Sequence, residues 1–348
     1  MSAPSDVVAQ AVKDGAFPGA QLAVSVEGRT VVSESFGALE PGGPAVRPDT
    51  SYDLASLTKP LATSVLFARA LDRGQLSLED PLCRFVAGPP PDIRVLDALE
   101  HATGWPAHRR FDLELPEHEL DVDARWRWIV EAAARTPLEA APRTRAVYSD
   151  LGYIVLGAAL EALEGSPIST SFAALGTQLE YRDARPKAPA PGPAPAGGFA
   201  PTEHELRGVV HDENARALGG AAGHAGLFGT ANGVLELAES LVRAWHGSAN
   251  ELASSESVRR IWAPSQVPGS TRTPGWDRPS PSGSSTGGSW PAHAVGHLGF
   301  TGTSLWIEPR QALVAVLLTN RVCPTRDNVA IREVRPRLHE AVWRSFGV

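Results

Sequence analysis

Lysine is nearly missing from this chain. Of 32 basic residues among its 348, only Lys13, Lys59 and Lys187 are lysine, and the rest are arginine. Arginine stays protonated, whereas a buried lysine can lose its proton. A lysine in an apolar stretch therefore stands out, and Lys59 lies in one. Cysteine is scarce too. Cys83 and Cys323 are far apart and form no metal-spaced pair, so two buried, reduced thiols in a cytoplasmic protein are expected. Positive charge is in deficit, with a net charge of −7 and no basic run interleaved with aromatics. That excludes a nucleic-acid partner, which needs concentrated positive charge. No stretch approaches the ~18 continuous apolar residues of a membrane span, so no membrane association is expected. "MSAPSDVVAQAVKDGAF" has neither a basic n-region nor an apolar h-region, so no signal peptide is expected.

What is present is material for a core. Hydrophobic residues make up 43% and charged residues 20%, both globular values. A chain of this length suggests one large two-lobed domain or two domains.

"GAQLAVSVEGRTVVSESFGAL", residues 19–39, alternates apolar and polar positions around "EGR" and reads as a β-hairpin. A helix is expected over 56–73, where apolar positions recur with a 3.6-residue period and Gly74 ends the run. The middle of the chain is helix-rich, in "RVLDALEHATG", "ARWRWIVEAAART", "LGYIVLGAALEALEG" and "PISTSFAALGTQL". Prolines make 184–203 an extended strap, and 264–293 is a second Pro-, Gly- and Ser-rich loop. An amphipathic helix is expected at 231–246, and the C-terminal part reads strand, strand, helix. Strands at both ends with helices between them suggest one sheet assembled from both termini with a helical lobe inserted. We therefore expect a single domain over 1–348, with an α/β lobe from 1–80 and 231–348 and a mainly helical lobe from 81–230.

"DLASLTKPLAT", residues 53–63, places Ser56 and Lys59 three apart at the start of the expected helix, on one face. Backbone N–H groups at a helix N-terminus favour developing negative charge. The lysine can share the serine proton if something keeps its pKa down. Ser285 in "GSSTG" satisfies the nucleophile-elbow pattern, but no strand precedes it and no helix follows. "EHELDV" and "EHELRG" begin like a zinc-protease motif but lack its second histidine, so no metal is expected. No cofactor is expected either. Tyr148 lies just before a helix, with Asp150 two residues on, and a phenol beside a cationic lysine would have a lowered pKa and could shuttle the serine proton. Ser149 or Asp150 may equally be read as the cap of that helix. His297 stands before a strand in "GHLGFTGTSLWIEP", where Gly299 and Gly302 permit close approach of a ligand.

Taken in order, Ser56-x-x-Lys59, Tyr148-Ser-Asp150 and His297-Leu298-Gly299 resemble the serine β-lactamase and penicillin-binding-protein superfamily. The branch is the class C-like one, which also holds esterases, D-aminopeptidases and acyltransferases. "ALEHATGWPAH" and "ALGGAAGHAGLFGTANGVLEL" are similar to its members as well, so the resemblance covers nearly the whole chain. It implies an α+β fold, with an antiparallel sheet flanked by helices beside an all-helical lobe and the site between. It assigns Ser56 as acylated nucleophile, Lys59 as base or electrostatic partner and Tyr148 as proton relay. The N–H groups of Ser56 and Phe300 would form the oxyanion hole.

Two departures bear on the substrate. Asp150 stands where β-lactamases usually have asparagine, and an anion there favours protonated Lys59. His297-Leu298-Gly299 replaces Lys-Thr-Gly, which removes a fixed cation and a hydroxyl that would hold a carboxylate. His297 would supply only part-time charge near pH 6–7. The expectation is a cytoplasmic serine hydrolase acting through an acyl-enzyme on a small ester or amide, with esterase favoured over β-lactamase. A D-amino-acid peptidase, an amidase or an acyltransferase would use the same machinery. A non-catalytic binding or assembly role is the competing class, and the intact Ser56, Lys59 and Tyr148 speak against it.

Overall fold

The computed structural model describes residues 3–116, 120–203, 206–248 and 252–348. The chain begins with helix α1 (Pro4–Lys13) and the expected hairpin, β1 (Gly19–Val26) and β2 (Arg29–Gly37). Short strand β3 (Tyr52–Asp53) leads through a 3-10 turn and a π-helical segment into α2 (Val65–Asp72). Helices α3 (Val95–Leu99), α4 (Val122–Ala134), α5 (Asp150–Glu164) and α6 (Ile168–Ala173) follow. Next come β4 (Glu180–Tyr181), α7 (Glu213–Ala217), β5 (Leu227–Gly229), α8 (Ala231–Trp245) and α9 (Ser255–Ile261). The chain closes with β6 (Arg272–Thr273), β7 (Trp276–Asp277), β8 (Val295–Leu298), β9 (Ser304–Glu308), β10 (Leu313–Thr319) and α10 (Ile331–Phe346).

The main sheet runs β2-β1-β10-β9-β8-β7-β6 and every pairing in it is antiparallel. Its second and third strands, β1 and β10, join the two ends of the chain, with Ala20 opposite Thr319 and Val26 opposite Leu313. Side chains alternate across a strand. On β10, Leu313, Ala315 and Leu317 pack with Val7, Val8, Val334 and Leu338 of α1 and α10. Val314, Val316 and Leu318 face the opposite way, into the core that holds Val234, Leu241 and Leu61. Both faces are covered, which is why "ALVAVLL" is a continuous apolar run rather than an alternating one. Each such leucine or valine, fully buried, stabilises the fold by about 1.5–3 kcal/mol.

The mixed α+β architecture agrees with the sequence reading, while its local details differ. The segment expected as one helix over 56–73 is a 3-10 turn at Ala55–Leu57, a π-helix at Lys59–Ser64 and only then α2. Pro60 has no N–H to donate back along the helix, which disfavours a regular start. Thr63 Oγ1 donates to Gly223 O at 2.6 Å, and Gly157 comes so near that a Cβ there would lie 2.8 Å from Gly223 N. The glycine-rich stretch at 218–226 thus lets backbones meet beneath the serine turn. The loop at 264–293 is not wholly irregular, since it contributes β6 and β7 to the sheet edge. Ser285 lies in a turn with neither a strand before it nor a helix after it. His297 precedes the expected strand, which is β9, and itself lies in a further strand, β8. Cys83 is exposed and Cys323 buried, so only one of the two expected buried thiols is buried. No helix among the described residues is long and apolar enough to cross a membrane. His118 and His204 of the two Glu-His-Glu stretches lie outside the described residues.

Candidate active site

Ser56 sits in the middle of the 3-10 turn, immediately after Ala55, whose φ is +49°. A left-handed alanine is strained. The Asp53 carboxylate holds the bend by accepting the N–H groups of Ala55 at 2.8 Å and of His211 at 2.7 Å. Lys59, one turn on, is fully buried. Its Nζ donates to Ser56 Oγ at 2.9 Å, to Asp150 Oδ1 at 2.9 Å and to the His224 carbonyl at 3.2 Å. An ammonium has three hydrogens, so all are used. The Tyr148 and Tyr153 rings lie 4.8 and 5.5 Å from Nζ. Burial pushes Lys59 toward deprotonation, but the Asp150 carboxylate with Tyr148 outweighs it and holds the pKa above the ordinary lysine value. Lys59 rests as a cation.

Asp150 opens α5, with Ser149 at the cap position. Burial would raise the Asp150 pKa, but Lys59 and the His108 imidazole hold it well below the usual carboxylate range. His108 Nδ1 lies 3.3 Å from Asp150 Oδ2, and this contact raises the His108 pKa. Tyr148 contacts both Ser56 and Lys59 through its hydroxyl, yet its pKa is raised. Burial, reinforced by Asp150, exceeds the pull of the nearby cation. The lowered phenol pKa expected from the sequence is corrected: Tyr148 rests as a phenol, able to give a proton.

His297 also departs from expectation. Burial, then Lys59, then Arg272 push its pKa well below that of a free histidine, so it is a neutral imidazole and supplies no charge near pH 6–7. Its Nδ1 lies 2.8 Å from the Leu298 carbonyl, which can only accept, so Nδ1 carries the hydrogen.

Ser56, Tyr148, Asp150, His297, Leu298, Gly299 and Phe300 line one cavity of about 620 Å³, with Lys59 beneath it. The residues nominated from sequence come together. Among the described residues, the N–H groups of Ser56 and Phe300 donate to no protein acceptor.

Several groups at the site escaped sequence reasoning. His101, with φ +58°, accepts the Ser149 N–H at 3.0 Å on Nδ1 and lies 4.6 Å from the Tyr148 ring. Arg272 stands 5.2 Å from the same ring and pairs with Asp277 at 2.8 Å. His224 Nε2 contacts Asp212 at 2.8 Å, fixing the turn whose carbonyl receives Lys59. The histidine in "EHATG" was a visible signal. Arg272 and Asp277 were hidden in a loop whose composition gives no period.

A curated relative, the N-acetylmuramyl-L-alanine amidase of Bacillus subtilis (strain 168), is 30% identical over 88% of this chain and 77% of its own length. A putative D-alanyl-D-alanine carboxypeptidase of Escherichia coli (strain K12) is 26% identical over 88% and 79%. Among solved structures, EstCE1, a hydrolase with promiscuous acyltransferase activity, superposes with a TM-score of 0.73 at 21% identity, covering 98% of this chain and 97% of its own. A class C β-lactamase from Rhodobacter sphaeroides gives 0.71 at 20%, covering 98% of each chain. Both share the antiparallel sheet and flanking helices of this fold. The family model described as Beta-lactamase matches residues 5–338, and with it the chain belongs to the β-lactamase family.

Proposed function

We propose that this protein is a serine hydrolase that works through an acyl-enzyme on Ser56, with a small ester as its preferred substrate. The observation that carries the reading is the three-way bonding of Lys59 to Ser56, Asp150 and the His224 carbonyl. As Ser56 Oγ attacks the substrate carbonyl, its proton passes to Lys59 while Lys59 gives one to Asp150. Lys59 gains one proton and loses one, so it stays an ammonium while Asp150 becomes neutral, and the single positive charge left on the pair balances the negative charge of the oxyanion. Tyr148 protonates the leaving group and is reprotonated from the pair, and water then cleaves the acyl-enzyme. The unengaged N–H groups of Ser56 and Phe300 support an oxyanion hole, a device that is worth a few kcal/mol. Leu298, which offers no hydroxyl, and the neutral His297 favour esters over β-lactams.

A second reading keeps this machinery and changes the substrate to an amide or D-amino-acid peptide. The names of the curated relatives support it. So do Arg321 and Arg332, which line the cavity without a carboxylate partner among the described residues and could meet a substrate carboxylate. An acyltransferase would differ only in the acceptor. The exposed free Cys83 supports a reducing, cytoplasmic location.

Turnover of p-nitrophenyl acetate and butyrate, set against D-alanyl-D-alanine peptides and with Ser56→Ala as control, separates the readings. A covalent adduct mapped by mass spectrometry to the peptide containing Ser56 supports the acyl-enzyme. Equal turnover by wild type and Ser56→Ala removes it.

A further inference from the structure

The loop 299–303 between β8 and β9 is held unusually hard. Gly299 N–H donates to Thr303 O at 2.7 Å and Gly302 N–H to Gly299 O at 3.1 Å. Thr301 Oγ1 and Thr303 Oγ1 donate to the carbonyls of Asp53 and Leu54 at 2.8 and 3.0 Å, so the loop is bound to the segment that carries Ser56. Two guanidiniums hold three of its carbonyls. Arg321 Nε donates to Phe300 O at 2.8 Å. Arg335, from the first turns of α10, donates through Nη2 to both Gly299 O and Thr303 O at 2.7 Å.

Arg335 is 8% exposed and has no carboxylate partner among the described residues, and its Nε makes no hydrogen bond. Holding two carbonyls does not require a charge, because a neutral amide donor could do it. Burying an unpaired cation is costly. Burial, with Arg321 beside it, lowers the Arg335 pKa to about 9, the direction expected of a charge with no counter-ion.

The Gly299 carbonyl and the Phe300 N–H belong to one peptide group. A cation bonded to that oxygen draws electron density from the nitrogen and makes the N–H a stronger donor, since linked hydrogen bonds polarise one another. We propose that Arg335 is a positioning residue for acylation: it polarises the Gly299–Phe300 peptide so that the Phe300 N–H binds the developing oxyanion more strongly than the substrate carbonyl. The inference rests on the proposed acyl-enzyme chemistry at Ser56. An interaction that strengthens only as charge develops raises kcat and leaves KM alone.

The test replaces Arg335 with citrulline by amber suppression, which keeps the donors and removes the charge, alongside Arg335→Lys and Arg335→Gln. Ester turnover and the rate of Ser56 labelling by a fluorophosphonate are measured with melting temperature. Expected is a kcat loss on the order of 10- to 100-fold in the citrulline and glutamine forms, below the 10²–10³ of a lost donor, with KM unchanged. Arg335→Lys should recover part of it. The infrared stretch of a slowly hydrolysed acyl carbonyl on Ser56 should rise in frequency when the charge is removed. If the citrulline form folds and keeps wild-type kcat and carbonyl stretch, the inference is overturned. Should only Arg335→Lys fold, near-wild-type kcat with an unshifted carbonyl supports the role of charge, and a loss as large as that expected for citrulline overturns it. A wild type that neither labels at Ser56 nor turns over esters defeats the acyl-enzyme reading itself, which is a separate result.

Discussion

Lys59 and Asp150 form an ion pair at 2.9 Å in which the lysine is fully buried and the carboxylate about one-sixth exposed, its side chain at 17%. Removing either partner leaves the other charge uncompensated beneath the cavity, and breaking such a pair costs about 3–5 kcal/mol. Lys59→Met should therefore lose both ester turnover and roughly that much stability in urea denaturation. Ser56→Ala should lose turnover with its denaturation midpoint nearly unchanged. A Lys59→Met variant as stable as wild type would show that the pair is not buried as described.

The same pair sets the response to pH. The Asp150 pKa is depressed in the folded state, so its contribution is present above the unfolded carboxylate value of about 3.9 and is lost as pH falls through the folded one. The Lys59 pKa is raised, so its contribution is complete below about 10.4 and lost as pH rises through the folded value. Urea midpoints should fall at both extremes in wild type. Asp150→Asn should flatten both limbs and lower kcat, because an amide cannot accept the proton that Lys59 passes on.

His297 should be silent in the range where free histidine titrates, near 6.5. Burial and the cations Lys59 and Arg272 keep it neutral. An NMR titration of its ring from pH 8 to pH 6 should show no shift, whereas His108, raised by Asp150, should titrate above the free value. A His297 inflection near neutrality would reinstate a cation at the third motif.

Gly299→Ala should abolish turnover even where the protein folds. A Cβ there would lie 2.0 Å from Thr303 Oγ1 and 2.7 Å from the Leu54 carbonyl, which forces the loop away from the serine segment. The comparison is Gly28→Ala, where a Cβ meets nothing within 4 Å; there the positive φ of 74° alone should cost stability and leave kcat intact. The two variants, compared by kcat and by melting temperature, separate strain at the site from strain elsewhere.

Thiol reactivity should divide cleanly. Ellman's reagent should modify Cys83 rapidly in the native protein and Cys323, 7% exposed, only after unfolding. Two fast thiols would contradict the burial of Cys323.

The hairpin and the amphipathic α8 were legible because each shows its period, β10 because it is an unbroken apolar run, and Ser56, Lys59 and Tyr148 because they stand in recognisable spacing. Tertiary charge was not legible. The Tyr148 phenol was expected to be acidified by Lys59, but the sequence could not show that burial beside Asp150 would outweigh that pull. Likewise His297 looked like a partial replacement for a lysine, but the fold buries it and brings Lys59, and then Arg272 of β6, near its ring. The π-helical start at Lys59 was hidden because the segment is held by a side-chain-to-backbone bond from Thr63 to Gly223, 160 residues away.

The pairing of β1 with β10 has a consequence for biosynthesis. Strand β1 finds its second neighbour, β10, only after about 300 further residues have been made, Ala20 waiting for Thr319. Long-range antiparallel closure is slow, and an unpaired apolar strand is prone to aggregate. A growing chain thus carries Ser56 and Lys59 early but cannot seat loop 299–303 or α10 against them until those residues have been made.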